Sequence, residues 1–262
     1  MKQESTSILD KIIATKRDEI KVLKQNKSFK DFEKSIYFQT PCHSLKTSLR
    51  NSTFGIISEF KRKSPSAGFL TERTVLDQVS YYQNNGASAI SILTDSNYFG
   101  GTIEDILSVK QEVFVPILRK DFILDEIQII ESKAIGADVI LLIAEILSKE
   151  EIISFTTLAQ SLEMEVILEL NHAFLFDKIY EEVDVIGVNN RDLDKQITKI
   201  QTSFDLYNYL PSNSIKISES GIKTMDELIR LNEIGYKGAL IGESILKNEN
   251  LLLEFNPKEY AN

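Results

Sequence analysis

One cysteine, two histidines and no tryptophan stand in this 262-residue chain, and each scarcity excludes something. Cys42, alone, makes no internal disulfide, which rules out a secreted disulfide scaffold and fits a reducing, cytoplasmic setting. With His43 and His172 the only histidines, a zinc site or a nucleophilic Cys–His pair would need almost every candidate residue, so neither a metal nor such a nucleophile is expected. Glycine (11) and proline (5) are too few for a collagen-like or low-complexity chain. The longest aliphatic run near the middle, VILLIA at 139–144, falls far short of the roughly 18 residues of a membrane span, and no signal-peptide apolar region is visible. Positive charge is also in deficit. Thirty Lys and Arg against 39 Asp and Glu leave a net charge of −9, a field that repels nucleic acid and anionic lipid. Neither is expected as a partner.

What the chain does have is core: 42% hydrophobic against 26% charged residues. Ile8, Leu9, Ile12, Ile13, Ile20 and Leu23 form one helical stripe, with Lys, Arg, Asp and Glu on the opposite face. A second short stretch follows around Phe29 to Ile36, then a loop at Pro41, and near Phe54 the pattern changes. Eight strand-like apolar runs begin there: Gly55–Ser58, Ala89–Leu93, Val115–Leu118, Val139–Ile143, Val166–Leu168, Val185–Val188, Ile215–Ile217 and Ala239–Ile241. Their mean repeat of about 26 residues holds a strand, a helix and two loops. Ser148 with Glu151, and Thr224 with Glu227, match helix capping boxes in the intervening segments. Near-continuous apolar strands alternating with helices predict an α/β fold, a (β/α)8 barrel carrying an N-terminal helical extension. The boundary is placed near residue 45, with 1–45 as extension and 46–262 as barrel. A doubly wound open sheet is the alternative, but its glycine-rich first turn is missing: the first turn reads EFKRKSPSAG.

A barrel works at the C-terminal ends of its strands, and charged residues collect there. Glu59 and Lys61 follow the first run, Arg119 and Lys120 the third, Glu169 the fifth, Asn189, Asn190 and Arg191 the sixth, and Glu219 the seventh. Taken singly, each is compatible with a strand returning to water. Taken together, charges in strand alternation meet at partial burial and need partners, as in an acid–base pocket. Gly221 and Gly242 end the seventh and eighth repeats, where barrel loops expose backbone N–H groups to a phosphate; either alone reads equally as a tight-turn glycine, and their paired position favours phosphate.

The blocks SEFKRKSPSAG (58–68), AISILTDSNYFGG (89–101), PILRKDFILD (116–125), GADVILLIA (136–144), VIGVNNRDL (185–193), ISESGI (217–222) and ALIGESIL (239–246), with the helical stripe at 9–20, resemble the indole-3-glycerol phosphate synthase family of tryptophan biosynthesis along the whole chain. The resemblance implies closure of 1-(2-carboxyphenylamino)-1-deoxyribulose 5-phosphate to indole-3-glycerol phosphate with loss of carbon dioxide and water, without a cofactor. It implies Lys120 as general acid at the ketone oxygen, with a pKa lowered beside Arg119, and Glu169 as proton-transfer group in the dehydration. Glu59 and Lys61 would hold the substrate amine and share acid–base work, and the division between Lys61 and Lys120 stays open. Asn189 and Glu219 would support the reacting centre. Phe99 would face the anthranilate ring, and Ile117 and Leu118 would either add apolar surface to it or belong to the core. Ser64, Arg191, Ser220, Gly221, Gly242 and Glu243 would bind the phosphorylated substrate, with the Glu243 side chain turned away.

Two positions depart from the family pattern: Asn171 stands where a histidine is common, and Ala67 where a lysine is frequent before Gly68. Both bear on affinity. A phosphoribosylanthranilate isomerase would want a cysteine at a strand end, and Cys42 precedes the first strand. A non-catalytic barrel that binds the phosphorylated ligand would have lost a charged member, and none is missing. The expected partner is thus a small phosphorylated substrate, met by a monomer that associates at most weakly with other enzymes of the pathway.

Overall fold

Ser7 caps the first helix. Its side chain accepts a hydrogen bond from the Asp10 backbone N–H, and the Asp10 carboxylate accepts one back from the Ser7 N–H. This helix, α1 (Ile8–Asn26), buries Leu9, Ile12 and Ile20 of the stripe, together with Lys16. The computed structural model describes residues 7–192, 195–248 and 250–255. Residues 1–6 of the extension, Leu193 of the fifth block and the expected barrel end at 262 lie outside them. After α2 (Phe29–Phe32) comes α3 (Leu45–Asn51), which was not expected. Its cap is again local, the Ser44 hydroxyl accepting from the Thr47 N–H, and Leu45 and Leu49, one helical turn apart, are fully buried.

Eight parallel strands follow: β1 (Gly55–Phe60), β2 (Ala89–Leu93), β3 (Ile117–Lys120), β4 (Val139–Ile143), β5 (Glu165–Leu170), β6 (Val185–Asn189), β7 (Ile215–Glu219) and β8 (Gly238–Ile241). They form a closed barrel, with Gly55 through Ser58 of β1 in register with Gly238 through Ile241 of β8. The open-sheet alternative is excluded. Several strands run past the apolar runs that announced them. β1, β3, β5, β6 and β7 continue through Glu59, Lys120, Glu169, Asn189 and Glu219, because the backbone ladder does not require an apolar side chain. β3 also begins later than expected, at Ile117, since Pro116 has no N–H to offer a ladder.

The capping boxes at Ser148 and Thr224 form as read. A helix after every strand does not: between β5 and β6 lies only a 3-10 helix, Ala173–Lys178, the tighter form that chains use in short pieces. No helix among the described residues is long and apolar enough to cross a membrane.

Two apolar layers hold the barrel. Outward-facing strand residues such as Ile56, Ile90 and Ile140 pack under the helices, while Ile57, Leu118, Val139, Ile167, Ile217 and Leu240 fill the interior. At the N-terminal end Leu45 and Leu49 of α3 plug the barrel. A Cβ on Gly55 would stand 2.5 Å from Leu49 Cδ2, and one on Gly238 2.5 Å from the Gly55 carbonyl, so two glycines admit the plug. At the opposite end Leu9 and Ile12 of α1 join the same interior cluster.

Lys16 anchors α1 there. Its ammonium lies 2.7 Å from Glu19, 2.9 Å from Asp121 and 3.4 Å from Asp95. Asp121 also accepts from Thr94 Oγ1 at 2.6 Å and pairs with Arg119 at 3.1 Å. Burial opposes its charge, but Arg119 and Lys16 pull the Asp121 carboxyl down to about 2. Burial likewise opposes the Lys16 ammonium, and Asp121, Glu19 and Asp95 hold it above the ordinary lysine range. Asp121 therefore contributes stability that is complete above its ordinary 3.8 and is lost as pH falls towards 2. Lys16 contributes stability that is complete below its ordinary 10.5 and is lost as pH rises beyond it. Lys16→Met should cost about 3–5 kcal/mol at pH 7, because it strands buried carboxylates, and much less near pH 2.5. Urea unfolding at both pH values checks this; an equal loss at the two would refute the anchor.

Candidate active site

Strand alternation sets a polar layer directly above the apolar floor. Two residues beyond Ile57, Leu118, Ile167, Gly187 and Ile217, on the same inward-facing rows, stand Glu59, Lys120, Glu169, Asn189 and Glu219. Above them opens a cavity of about 540 Å3, walled by α1 and the βα loops. Lys120 Nζ donates to Glu219 Oε2 at 2.6 Å and to Glu169 Oε2 at 3.3 Å. Lys61 donates to Glu59 Oε1, and a Cβ on Gly242 would stand 2.4 Å from that same oxygen. The Glu59 backbone is fixed from behind by Tyr82, whose hydroxyl donates to its carbonyl at 3.0 Å.

Three buried carboxylates thus share two ammonium groups. Burial opposes the charge on Glu59, but Lys61 and Lys120 outweigh it and hold that carboxyl below the ordinary range. Burial, reinforced by the neighbouring Glu169, pushes Glu219 up to about 7 against the pull of Lys120. The expectation of a lowered Lys120 pKa is overturned. Burial does favour the neutral amine, yet Glu219, Glu169 and Glu59 together hold the ammonium above the ordinary lysine range. Nor is Arg119 its neighbour in the pocket. Strand alternation turns Arg119 to the outer face, where it meets Thr94, Ser132, Asp121 and Glu131. Replacing Lys120 by Met should leave a carboxyl cluster that retains protons the unfolded chain releases above about pH 4.5, so stability should fall as pH rises from about 5 to 8. Melting temperatures should show a gap from the parent that widens over this range, and a constant gap would contradict the cluster.

One wall of the cavity is apolar, built from Leu93, Phe99, Phe122, Leu141 and Ile143 with Ile8, Leu9 and Ile12 of α1. The Phe99 and Phe122 rings lie 6.3 Å apart. The opposite rim is polar. Ser220 and Gly221 hold consecutive positive φ angles, 68° and 76°, a strained conformation for serine that persists only where neighbours enforce it. The Ser220 carbonyl accepts from Asn190 Nδ2 at 2.9 Å, and a Cβ on Gly221 would strike Thr198 Cγ2 at 2.5 Å. Arg191 donates to Ser66 Oγ at 2.6 Å and to Thr198 Oγ1 at 3.2 Å, tying two mouth loops together.

Glu59, Lys61, Phe99, Lys120, Glu169, Asn189, Arg191, Ser220, Gly221, Gly242 and Glu243 all line this cavity. Glu219 lies beneath, against Lys120. Leu118 does not reach it: it is the floor residue under Lys120, fully buried. Ile117 packs outward under the helices. Ser64 is buried, and its hydroxyl accepts from the Ala67 N–H at 3.1 Å, bracing its own turn. The Glu243 carboxylate is turned towards Lys247, 2.6 Å away, and Arg191, 3.7 Å away. Asn171 is buried and donates to Glu145 at 3.1 Å. Sequence reasoning missed Phe122, Leu141 and Ile143, since apolar residues at a mouth read as core. It also missed Gln196 and Thr198, which line the cavity from a loop too short to carry a periodicity. No group of three or more His, Cys, Asp or Glu among the described residues is disposed to hold a metal.

A family model described as indole-3-glycerol phosphate synthase matches residues 9–256. A Bacteroides thetaiotaomicron protein named indole-3-glycerol phosphate synthase is 42% identical, over 92% of this chain and 93% of its own. One of the same name from Leptospira interrogans is 41% identical, over 93% and 94%, and one from Clostridium kluyveri 37%, over 92% and 93%. With the closed barrel and the charged mouth already in place, these likenesses fix the kinship: the chain belongs to the indole-3-glycerol phosphate synthase family.

Proposed function

We propose that this cavity closes 1-(2-carboxyphenylamino)-1-deoxyribulose 5-phosphate into indole-3-glycerol phosphate, releasing carbon dioxide and water. The observation that carries the reading is a firmly charged Lys120, buried between Glu169 and Glu219, where an apolar wall meets a polar rim. The apolar wall suits the aromatic ring. The rim, with its N–H groups near Ser220, Gly221 and Gly242, suits the phosphate. A substrate held at both ends brings its ketone over Lys120.

The aniline nitrogen pushes electrons through the ring, so that the carbon bearing the carboxylate bonds to the ketone carbon. The ketone oxygen takes up the displaced pair and a proton from Lys120. An alkoxide is far more basic than any lysine, so a strongly held ammonium still serves as the acid. Loss of carbon dioxide returns an electron pair to the ring and neutralises the nitrogen. The hydroxyl then leaves as water, and the adjacent carbon gives up its proton, the step assigned to Glu169. Glu59 and Lys61 hold the amine and carboxylate, while Asn189 and Glu219 support the centre. Lys61 is the second donor, and single variants at Lys61 and Lys120 divide their roles. The setting we infer is cytoplasmic, with the enzyme working as a monomer on a diffusible substrate; the lone unpaired thiol of Cys42 supports the compartment.

The chain has no Trp, so its emission comes from 9 Tyr and 14 Phe, whereas the product contains an indole. Adding the substrate should give a rising indole signal over a weak background. Lys120→Ala should lower kcat by on the order of 10²–10⁴-fold while binding persists, and Glu169→Gln should slow the dehydration. Substrate binding by calorimetry with no indole or carbon dioxide at any pH from 5 to 9 would leave a ligand-binding barrel in place of an enzyme.

A further inference from the structure

Gly187 lies in the middle of β6, between Glu169 of β5 and Ile217 of β7. Glycine in a strand interior weakens the strand and marks a close approach. Its φ is not among the positive values, which fall at Gly68, Gly86, Gly100, Gly136, Gly221 and Gly235. Any residue can therefore adopt its backbone, and what the glycine supplies is space. A Cβ built on Gly187 would stand 2.2 Å from Glu219 Oε1, 3.2 Å from Glu219 Cδ and 3.2 Å from Ile167 Cγ2. The Glu219 carboxylate thus occupies the volume that a side chain at 187 would fill.

We propose that Gly187 is a positioning residue for the proton-transfer cluster: the space left by its missing side chain is what lets the Glu219 carboxylate stand against Lys120 and beside Glu169. The role rests on the function proposed above. The two oxygens of Glu219 are held differently. Oε2 accepts from Lys120 at 2.6 Å, whereas Oε1, in the slot over Gly187, is buried with no hydrogen-bond partner. A slot without a donor disfavours the charged form, in keeping with a Glu219 carboxyl pushed up to about 7 by burial and by Glu169. The three atoms nearest to a methyl at 187, out to 3.2 Å, belong to the side chains of Glu219 and Ile167, and none is backbone. The fold absorbs it by moving the carboxylate, so the effect falls on the site.

Gly187→Ala should lower kcat by on the order of 10²-fold, the loss expected of a group misplaced by about 1 Å, with KM little changed because the ring and phosphate contacts lie elsewhere. Its pH–rate profile should shift. A measurement without substrate reads the same displacement: the carboxyl 13C resonance that disappears in Glu219→Gln should titrate near neutrality in the parent and move in Gly187→Ala. Failure of turnover in the parent would sink the proposed function and leave this titration readable. In a Glu219→Asp background, the shorter side chain leaves room for the methyl, so Gly187→Ala should cost little more. A parental kcat with an unmoved resonance overturns the proposal, as does an equal loss in both backgrounds. If Gly187→Ala does not fold, the double variant decides: folding restored by Glu219→Asp identifies the clash with Glu219, and a double variant that stays unfolded overturns the assignment.

Discussion

The Lys120 ammonium is the constraint from which the upper half of the barrel follows. An ion taken from water into a protein interior loses several kcal/mol of solvation unless partners replace it, and here Glu219 and Glu169 stand within 3.3 Å while Glu59 adds its field. Only a closed barrel brings these groups together so simply, since inward-facing rows on β1, β3, β5, β6 and β7 reach one height from separate parts of the chain. Once three carboxylates are buried, two ammonium groups no longer balance them, and the proton that relieves the excess negative charge is held most readily on Glu219. Room must also be found, and two positions without side chains, Gly187 and Gly242, supply it beside Glu219 and Glu59.

β3 carries a second buried cation on its other face. Arg119 points outward to Glu131 and Asp121, and Asp121 in turn holds Lys16 of α1. The helix that walls the cavity with Ile8, Leu9 and Ile12 is thereby clamped to the residue that follows Lys120. The extension belongs to the site on two grounds, one apolar and one electrostatic. Neither ground works alone. An apolar stripe slides on an apolar surface, and an exposed ion pair adds little; a buried lysine between two carboxylates fixes the register that the stripe leaves loose.

Much of this is legible in the sequence. Eight apolar runs separated by helix-length segments gave the repeat, and the polar residues that terminate them gave the working end, because alternation carries a strand's inward row from Ile57 to Glu59 without a break. The capping boxes at Ser148 and Thr224 were legible because they are local. Less so were contacts made across the sequence. Lys16 reads as the polar interruption of a helical stripe until Asp121 is placed beside it, and α3 is too short for periodicity to reveal. Leu118 is core, one of the two readings open for it, because on an inward row the residue two before a charged one is its floor. The protonation of Lys120 was misjudged because Arg119, its sequence neighbour, faces away, while the carboxylates that govern it come from β1, β5 and β7.

The two ends of the barrel handle charge in opposite ways. At the N-terminal end, Lys110 meets Asp138 at 2.7 Å, and the same carboxylate accepts from the His43 and Ile117 N–H groups. Glu165 accepts from the Ser44 hydroxyl and the Lys46 N–H. There, Lys110 matches the Asp138 charge, and both carboxylates also accept from backbone N–H groups, which makes rigid struts. At the C-terminal end the count is uneven, Glu219 Oε1 has no donor, and Ser220 sits in a strained conformation. A fully satisfied pair has no reason to release a proton near neutral pH, because each partner's charge is stabilised by the other. Proton transfer needs a group left short of partners, so that its charged and neutral forms lie close in free energy. The incompleteness of the upper cluster is thus the physical condition for its chemistry, and the matched pairs below are what allow the fold to carry it.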